Sequence, residues 1–483
     1  MRARWHTGVL AIAGTLLALG LTGCSQSRPR PDLNQLYDRA AQYHGIERNP
    51  IILIPGILGS KLTHAPSGTT VWGAFTGEYA NPEEARGARL LALPMQRGKS
   101  LRQLTDSVYA NGALQSIRLR VAGLPIKLGA YVNIMRTLGI GGYRDASGAL
   151  NEVNYGAEHF TCFQFAYDWR RDNVENAQRL HAFIQEKKAY LRKEYKERYG
   201  VTDPNIQFDI VAHSMGGLLL RYYLRYGAQD LPRDGSLPTL NWAGAQQVDR
   251  VALVGTPNAG AAKALYEMAH GKDLSPVTPT YPAALLGTMP AAYQLLPRSR
   301  HGALRDARDP SIAVDSILSY DFWVHMQWGL ADPAQDRVLK QLLPEVERRK
   351  ERRAIALNHL KKSLRRARRF YRSLDTTATR PSGVQMALYT GDALPTLQTL
   401  TVNRQTGALK KYGTAPGDGT VLRSSALMDE RVNGTWQPYL VSPIDWSNVT
   451  MIFEDHVGMT QSTAFADNLL YYLLLHPYRD ERS

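Results

Sequence analysis

Six short, nearly unbroken apolar runs punctuate the chain, at 51–54, 160–165, 206–211, 251–254, 384–389 and 449–453. A strand with one wet face alternates polar and apolar residues. A continuous run instead suits a strand covered on both faces, as in a parallel sheet. Helical patterns lie between the runs. Leu180, Ile184, Leu191 and Tyr195 share one stripe that stops at Gly200. A second helix is expected from Ser214 to near Gly227, and a last one over roughly 463–475. Strand, helix and strand in succession predict an α/β fold with a mostly parallel central sheet and right-handed crossovers. Two connections are too long for that plan. About 100 residues separate 54 from 160, and about 130 separate 254 from 384. A βα connection needs a loop of about 2–6 residues plus a helix. Two large insertions are therefore expected over one end of the sheet, a lid or cap at about 62–155 and a helical cap at about 262–383.

The first residues bear on compartment. Met1-Arg2-Ala3-Arg4 is a basic start, 9–21 is an uncharged apolar run, and Leu21-Thr22-Gly23-Cys24 closes it. That outline reads as a secretory signal over 1–23, too short for a spanning helix. Its end resembles the bacterial lipobox, in which cleavage leaves a lipid-modified cysteine first, here Cys24. Residues 24–48 are then the lipidated Cys and a tether, and 49–480 the folded domain. The expectation is a protein lipid-anchored in a bacterial envelope, at the outer membrane on its periplasmic or surface face. Cys162 is the one other thiol, so the body has no internal disulfide. Neither a cofactor nor a metal is called for.

The sharpest chemical signal follows the run at 206–211. Ala212-His213-Ser214-Met215-Gly216-Gly217 leads into Leu218 and a helical stretch. This is strand, tight turn and helix with a serine at the apex. A serine hydroxyl is a poor nucleophile, and it gains from exposure on a strained turn, an adjacent base and a helix N-terminus. Small residues two before and two after it, Ala212 and Gly216, let strand and helix pass closely. The partners should follow in the order acid, then histidine. His456 directly follows the run at 449–453, whereas His476 closes a helix before Pro477 and suits a helix end. His456 is therefore the expected base, and His213 is expected to pack inside the elbow. Two acids compete. Asp392 directly follows the run at 384–389, and Asp418 lies between two glycines after a hairpin around 403–407. Asp418 is favoured, because flanking glycines let a loop return to the sheet rim. An oxyanion hole needs two backbone N–H groups. Met215, just after the serine, and Ile57, in the loop Pro55-Gly56-Ile57-Leu58-Gly59-Ser60, are the candidates.

These pieces together resemble the lecithin:cholesterol acyltransferase and lysosomal phospholipase A2-like family of α/β hydrolases. Five stretches carry the likeness: 52–62, Tyr167-Asp168-Trp169-Arg170, the Ser214 elbow, Gly255-Thr256-Pro257, and Gly417-Asp418-Gly419-Thr420-Val421 with His456 beyond. Residues 289–297 are also similar to a family segment. The resemblance implies an α/β-hydrolase fold with Ser214 as acyl-accepting nucleophile, Asp418 as acid, His456 as base, and Ile57 and Met215 at the oxyanion. It also implies a lipid-ester substrate, with hydrolysis or transfer to an alcohol as outcomes. Residues 167–170 read as scaffold. Animal members staple lid and cap with disulfides, and neither insertion here holds a cysteine, so lid boundaries and sterol preference do not carry over. Against this stand a non-catalytic envelope protein using a hydrolase fold as a binding surface, which an intact Ser/Asp/His set disfavours, and a soluble-substrate carboxylesterase.

Charge suggests partners without choosing one. The net charge is +15, which suits anionic surfaces. Residues 345–372 hold twelve Lys/Arg and three Glu, with Leu357, Leu360, Leu364, Ala367, Tyr371 and Leu374 at spacings of three and four. This is a basic amphipathic helix, read either as a cap helix packed on the body or as a dock for anionic lipid. Nucleic acid is not an expected partner. Trp72, Phe75 and Tyr79, close after the oxyanion loop, could close over an acyl chain or form a cap core.

Overall fold

The computed structural model describes residues 31–74, 78–114, 116–121, 124–129, 131–147, 159–273 and 279–475. Residues 1–30, Cys24 among them, Phe75 and His476 lie outside them; within the expected tether 24–48, Leu33–Ala41 is instead a helix whose Leu33 and Tyr37 pack against Ala466 and Leu470. Each of the six apolar runs holds or overlaps a strand: β1 (Ile51–Ile54), β2 (Cys162–Gln164), β3 (Phe208–His213), β4 (Val248–Val254), β5 (Gln385–Gly391) and β6 (Asn448–Ile452). All pair in parallel, in the spatial order β6-β5-β4-β3-β1-β2. The inner strands are mostly apolar because both faces are covered, although Asp209, Asp249 and Arg250 are buried among them. Ile52 and Ile54 enter one core cluster, while Ile51 and Leu53 enter the other on the opposite face. Cys162 is a buried free thiol whose pKa burial pushes up.

Helix α1 (Asn173–Tyr199) follows β2. Asp172 caps it by accepting from the Val174 N–H, and Gly200 ends it in the left-handed region at φ 69°. Its buried stripe includes Leu180, Ile184, Leu191 and Tyr195. Helix α2 (Met215–Tyr226) follows β3 and is buried on all sides. Thr463–Leu470 is the last α-helix and continues into a π-helical turn at Tyr471–Leu475.

The two long connections are the insertions. The first builds a small antiparallel sheet (Ser60–His64, Thr70–Trp72, Val108–Ala113) that periodicity did not announce, then a separate hairpin (Ser116–Val121 with Leu124–Gly129) and the helix Val132–Ile140. The segment 167–170 joins it to the body. The Arg170 guanidinium is fully buried, donates to both carboxylate oxygens of Asp168, and reaches Asp106 at 2.9 Å and the Leu90 carbonyl at 3.0 Å. Those partners answer a charge that burial alone would disfavour.

The second insertion contains helix α3 (Arg349–Asp375), whose buried side includes Leu360, Leu364, Ala367, Tyr371 and Leu374. Leu357, expected on that stripe, is only half-buried. Many of the cations end on protein acceptors. Arg366 pairs with Asp172 and Asp230, Arg352 with Asp336 and the Glu347 carbonyl, and Lys362 donates to the Gln96 and Lys99 carbonyls. The helix is a packed cap element, with much of its charge satisfied internally. Among the described residues no helix is long and apolar enough to cross a membrane.

Candidate active site

Strand order reverses around β1, since β2 lies on one side of it and β3 on the other. The loops leaving β1 and β3 therefore part from each other, and a crevice forms outside the carboxyl ends of the strands. Loop 55–60 leaves β1 there, and Ser214 leaves β3 beside it. Ser214 has φ 54° and ψ −127°, a conformation non-glycine residues rarely hold. That turn projects the hydroxyl away from the sheet and starts α2 immediately at Met215. Loop 55–60 runs against it: a Cβ on Gly56 would stand 2.7 Å from the Ser214 Cβ.

The loops after β5 and β6 bring the other two groups. His456 Nε2 lies 3.0 Å from Ser214 Oγ, and its Nδ1 lies 2.7 Å from Asp418 Oδ2. Asp418 Oδ1 accepts from the Thr420 N–H at 2.9 Å and the Val421 N–H at 2.6 Å. Burial pushes the Asp418 carboxyl up. The His456 imidazole beside it and the two backbone donors outweigh that and hold its pKa below the ordinary carboxylate range. The chain turns back over the end of β5 at Gly391, where a Cβ would come within 2.7 Å of the Asp418 Cβ. Asp392, the rival acid, faces Arg423 at 3.4 Å instead of His456. His213 packs in the elbow, buried, with its pKa lowered to about 3 by burial and by neighbouring His456.

Ile57 and Met215 both border the serine. Neither N–H donates to a protein acceptor among the described residues. The rest of the loop is braced. The Tyr167 hydroxyl donates to the Pro55 carbonyl at 2.9 Å, Trp72 Nε1 to the Leu58 carbonyl at 2.7 Å, and the Leu114 N–H to the Gly59 carbonyl at 2.8 Å. Trp72 is thus a brace, packed edge-on against Trp169, and does not close over a chain. Sequence reasoning missed these braces, because side-chain bonds to a distant backbone leave no periodic signal.

Ser214 and His456 open onto a cavity of about 360 Å³. Its walls are mainly apolar, with Leu114, Trp169, Met268, Leu286, Met289 and Leu295 among them. That size falls within the roughly 300–1,000 Å³ of small-molecule sites. Among the described residues no group of three or more His, Cys, Asp or Glu is placed to hold a metal ion.

The elbow and the segment 167–170 lie within a stretch that matches a known family. Residues 115–319 match the model of the lecithin:cholesterol acyltransferase family. The resemblance drawn from the sequence is thereby shown over that span, which is less than half of the chain. Gly255-Thr256-Pro257 and 289–297 also fall within it. The loop at 52–62, Asp418 and His456 fall outside. The chain is similar to two solved structures. A chain in the crystal structure of a Tle4–Tli4 complex is 16% identical, with a TM-score of 0.54 covering 89% of this chain and 99% of that one. Lipase 1 from Pelosinus fermentans is 13% identical over the same shares, with a TM-score of 0.34. No curated protein matches the chain. The chain has the α/β-hydrolase fold, and the lecithin:cholesterol acyltransferase match covers the part of it that carries Ser214.

Proposed function

We propose that this protein is a serine esterase acting on lipid esters through an acyl-enzyme. The observation that carries the reading is the hydrogen-bonded line Ser214–His456–Asp418 opening onto a largely apolar cavity. Ser214 Oγ attacks the ester carbonyl carbon while His456 Nε2 takes its proton. Asp418 holds the imidazole tautomer and stabilises the imidazolium. The N–H groups of Ile57 and Met215, the latter at the start of α2, hold the oxygen as it gains negative charge. The carbonyl–alkoxy bond then breaks, and His456 returns the proton to the departing alcohol. Water or a second alcohol attacks the acyl-enzyme with His456 again as base, which frees Ser214. The matched family is named for acyl transfer from lecithin, which supports a lipid ester as substrate.

Hydrolysis and transfer share that acyl-enzyme, so the acceptor decides. Water is present at about 55 M and needs no binding site, so an alcohol competes only if held at high effective molarity. With acyl-labelled phospholipid, free fatty acid is expected as the main product. An added long-chain alcohol or diacylglycerol should divert a minor share into acylated acceptor. Acylated acceptor accumulating while fatty acid stays below detection would make the protein chiefly a transferase.

The anchoring reading joins this one. Cys24 carries the lipid, and the enzyme works at an envelope membrane. Metabolic palmitate labelling is expected on the wild type and absent from Cys24→Ser, which should leave the membrane fraction. An unlabelled wild type would overturn the anchor and leave the esterase reading untouched.

A further inference from the structure

A buried chain of hydrogen bonds joins the oxyanion loop to the loop of His456. The Gly56 N–H lies 2.7 Å from Tyr131 Oη, that oxygen lies 3.0 Å from His213 Nδ1, and His213 Nε2 lies 3.1 Å from the His456 carbonyl oxygen. Chemistry fixes every proton along it. A carbonyl oxygen only accepts, so Nε2 carries the imidazole proton. Nδ1 of the neutral ring is then an acceptor, and the Tyr131 hydroxyl must donate to it. The phenol oxygen is left to accept from Gly56. Both side chains are buried and stack edge to face with centroids 5.5 Å apart. Burial raises the phenol pKa and lowers that of the imidazole, so both groups stay neutral. Tyr131 caps the helix Val132–Ile140 of the first insertion, so the chain ties three separate elements together.

We infer that Tyr131 and His213 are positioning residues that set the oxyanion loop in register with His456. The inference rests on the esterase reading, with Ile57 as oxyanion donor. Gly56 directly precedes Ile57, so the bond to Tyr131 fixes the peptide plane next to the donor. His213 holds the main chain of His456 from the carbonyl side, while the His456 N–H donates to the Asp418 carbonyl at 2.9 Å. Loss of the phenol hydroxyl leaves the Gly56 N–H and His213 Nδ1 both unsatisfied in the interior, and the donor is freed to drift. Misplacement of about 1 Å in such a group costs on the order of 10²-fold in rate.

Tyr131→Phe keeps the ring and removes the oxygen alone. It is expected to lower kcat about 10- to 100-fold on an oxyester with KM little changed, since the lost interaction acts in the transition state. A thionoester of the same alcohol separates positioning from general damage. Its sulfur is a poor acceptor for the oxyanion donors, so the loss on it should be much smaller than on the oxyester. His213→Gln, whose amide can both accept and donate, should retain more activity than His213→Leu. Tyr131→Phe within about twofold of wild type, or equal losses on oxyester and thionoester, would overturn the inference. Ser214→Ala stays inactive in either case; an active Ser214→Ala would instead overturn the esterase reading.

Discussion

Ser214→Ala is expected to yield a folded protein whose ester hydrolysis is lower by about 10⁴–10⁶-fold, the usual loss for a triad nucleophile. The substitution deletes one oxygen from a side chain whose Cβ already packs against Gly56. The backbone at φ 54° is as demanding for alanine as for serine, so the fold should tolerate it. Acyl transfer has no other outlet at the site, because the cavity wall beside His456 Nε2 holds no second nucleophile at hydrogen-bond distance among the described residues. Turnover of a chromogenic ester and labelling by a fluorophosphonate give two independent readouts. Equal labelling of wild type and variant would remove Ser214 from the mechanism.

Asp418→Asn should cost about 10⁴-fold in kcat, and the local bonding says why. Oδ1 is held by the N–H groups of Thr420 and Val421, so that position must keep an acceptor. An asparagine there turns its carbonyl oxygen toward those donors and its NH₂ toward His456 Nδ1. The amide now donates where the carboxylate accepted. The imidazole answers by moving its proton to Nε2, the atom that must take the proton of Ser214. Geometry survives while the tautomer is wrong. Asp392→Asn, by contrast, disturbs only an ion pair with Arg423 on a half-exposed side chain and should change kcat little. Kinetics of the two variants side by side decide the matter, and the reverse ranking would move the acid to the other loop.

What could be read in the sequence was whatever repeats or punctuates. The inner strands of the central sheet are mostly apolar runs because both faces are buried, and they surfaced with small errors at their ends. Ser214 was visible because strand, small residues and helix are contiguous around it. His456 and Asp418 were visible through position, one just past a strand and the other between glycines. Asp392 competed because a carboxylate next to a strand end looks the same whether it faces a histidine or Arg423. The first insertion resisted. Its strands, such as Ser60–His64 and Thr70–Trp72, are short and mixed in polarity, and they gain their identity by pairing with each other and with Val108–Ala113. Trp72 and Tyr131 reach loop 55–60 across 14 and 75 residues. Such contacts are a property of the folded chain and have no pattern along it.

A region that covers an active site invites exchange between homologues as though it were a detachable part. Here the span 62–155 contains Trp72, Leu114 and Tyr131, which hold the Leu58 carbonyl, the Gly59 carbonyl and the Gly56 N–H. A chimera cut at those limits would swap the mounting of loop 55–60 along with the insertion. A graft meant to alter substrate choice alone has to leave those three anchor points native and place its junctions between them.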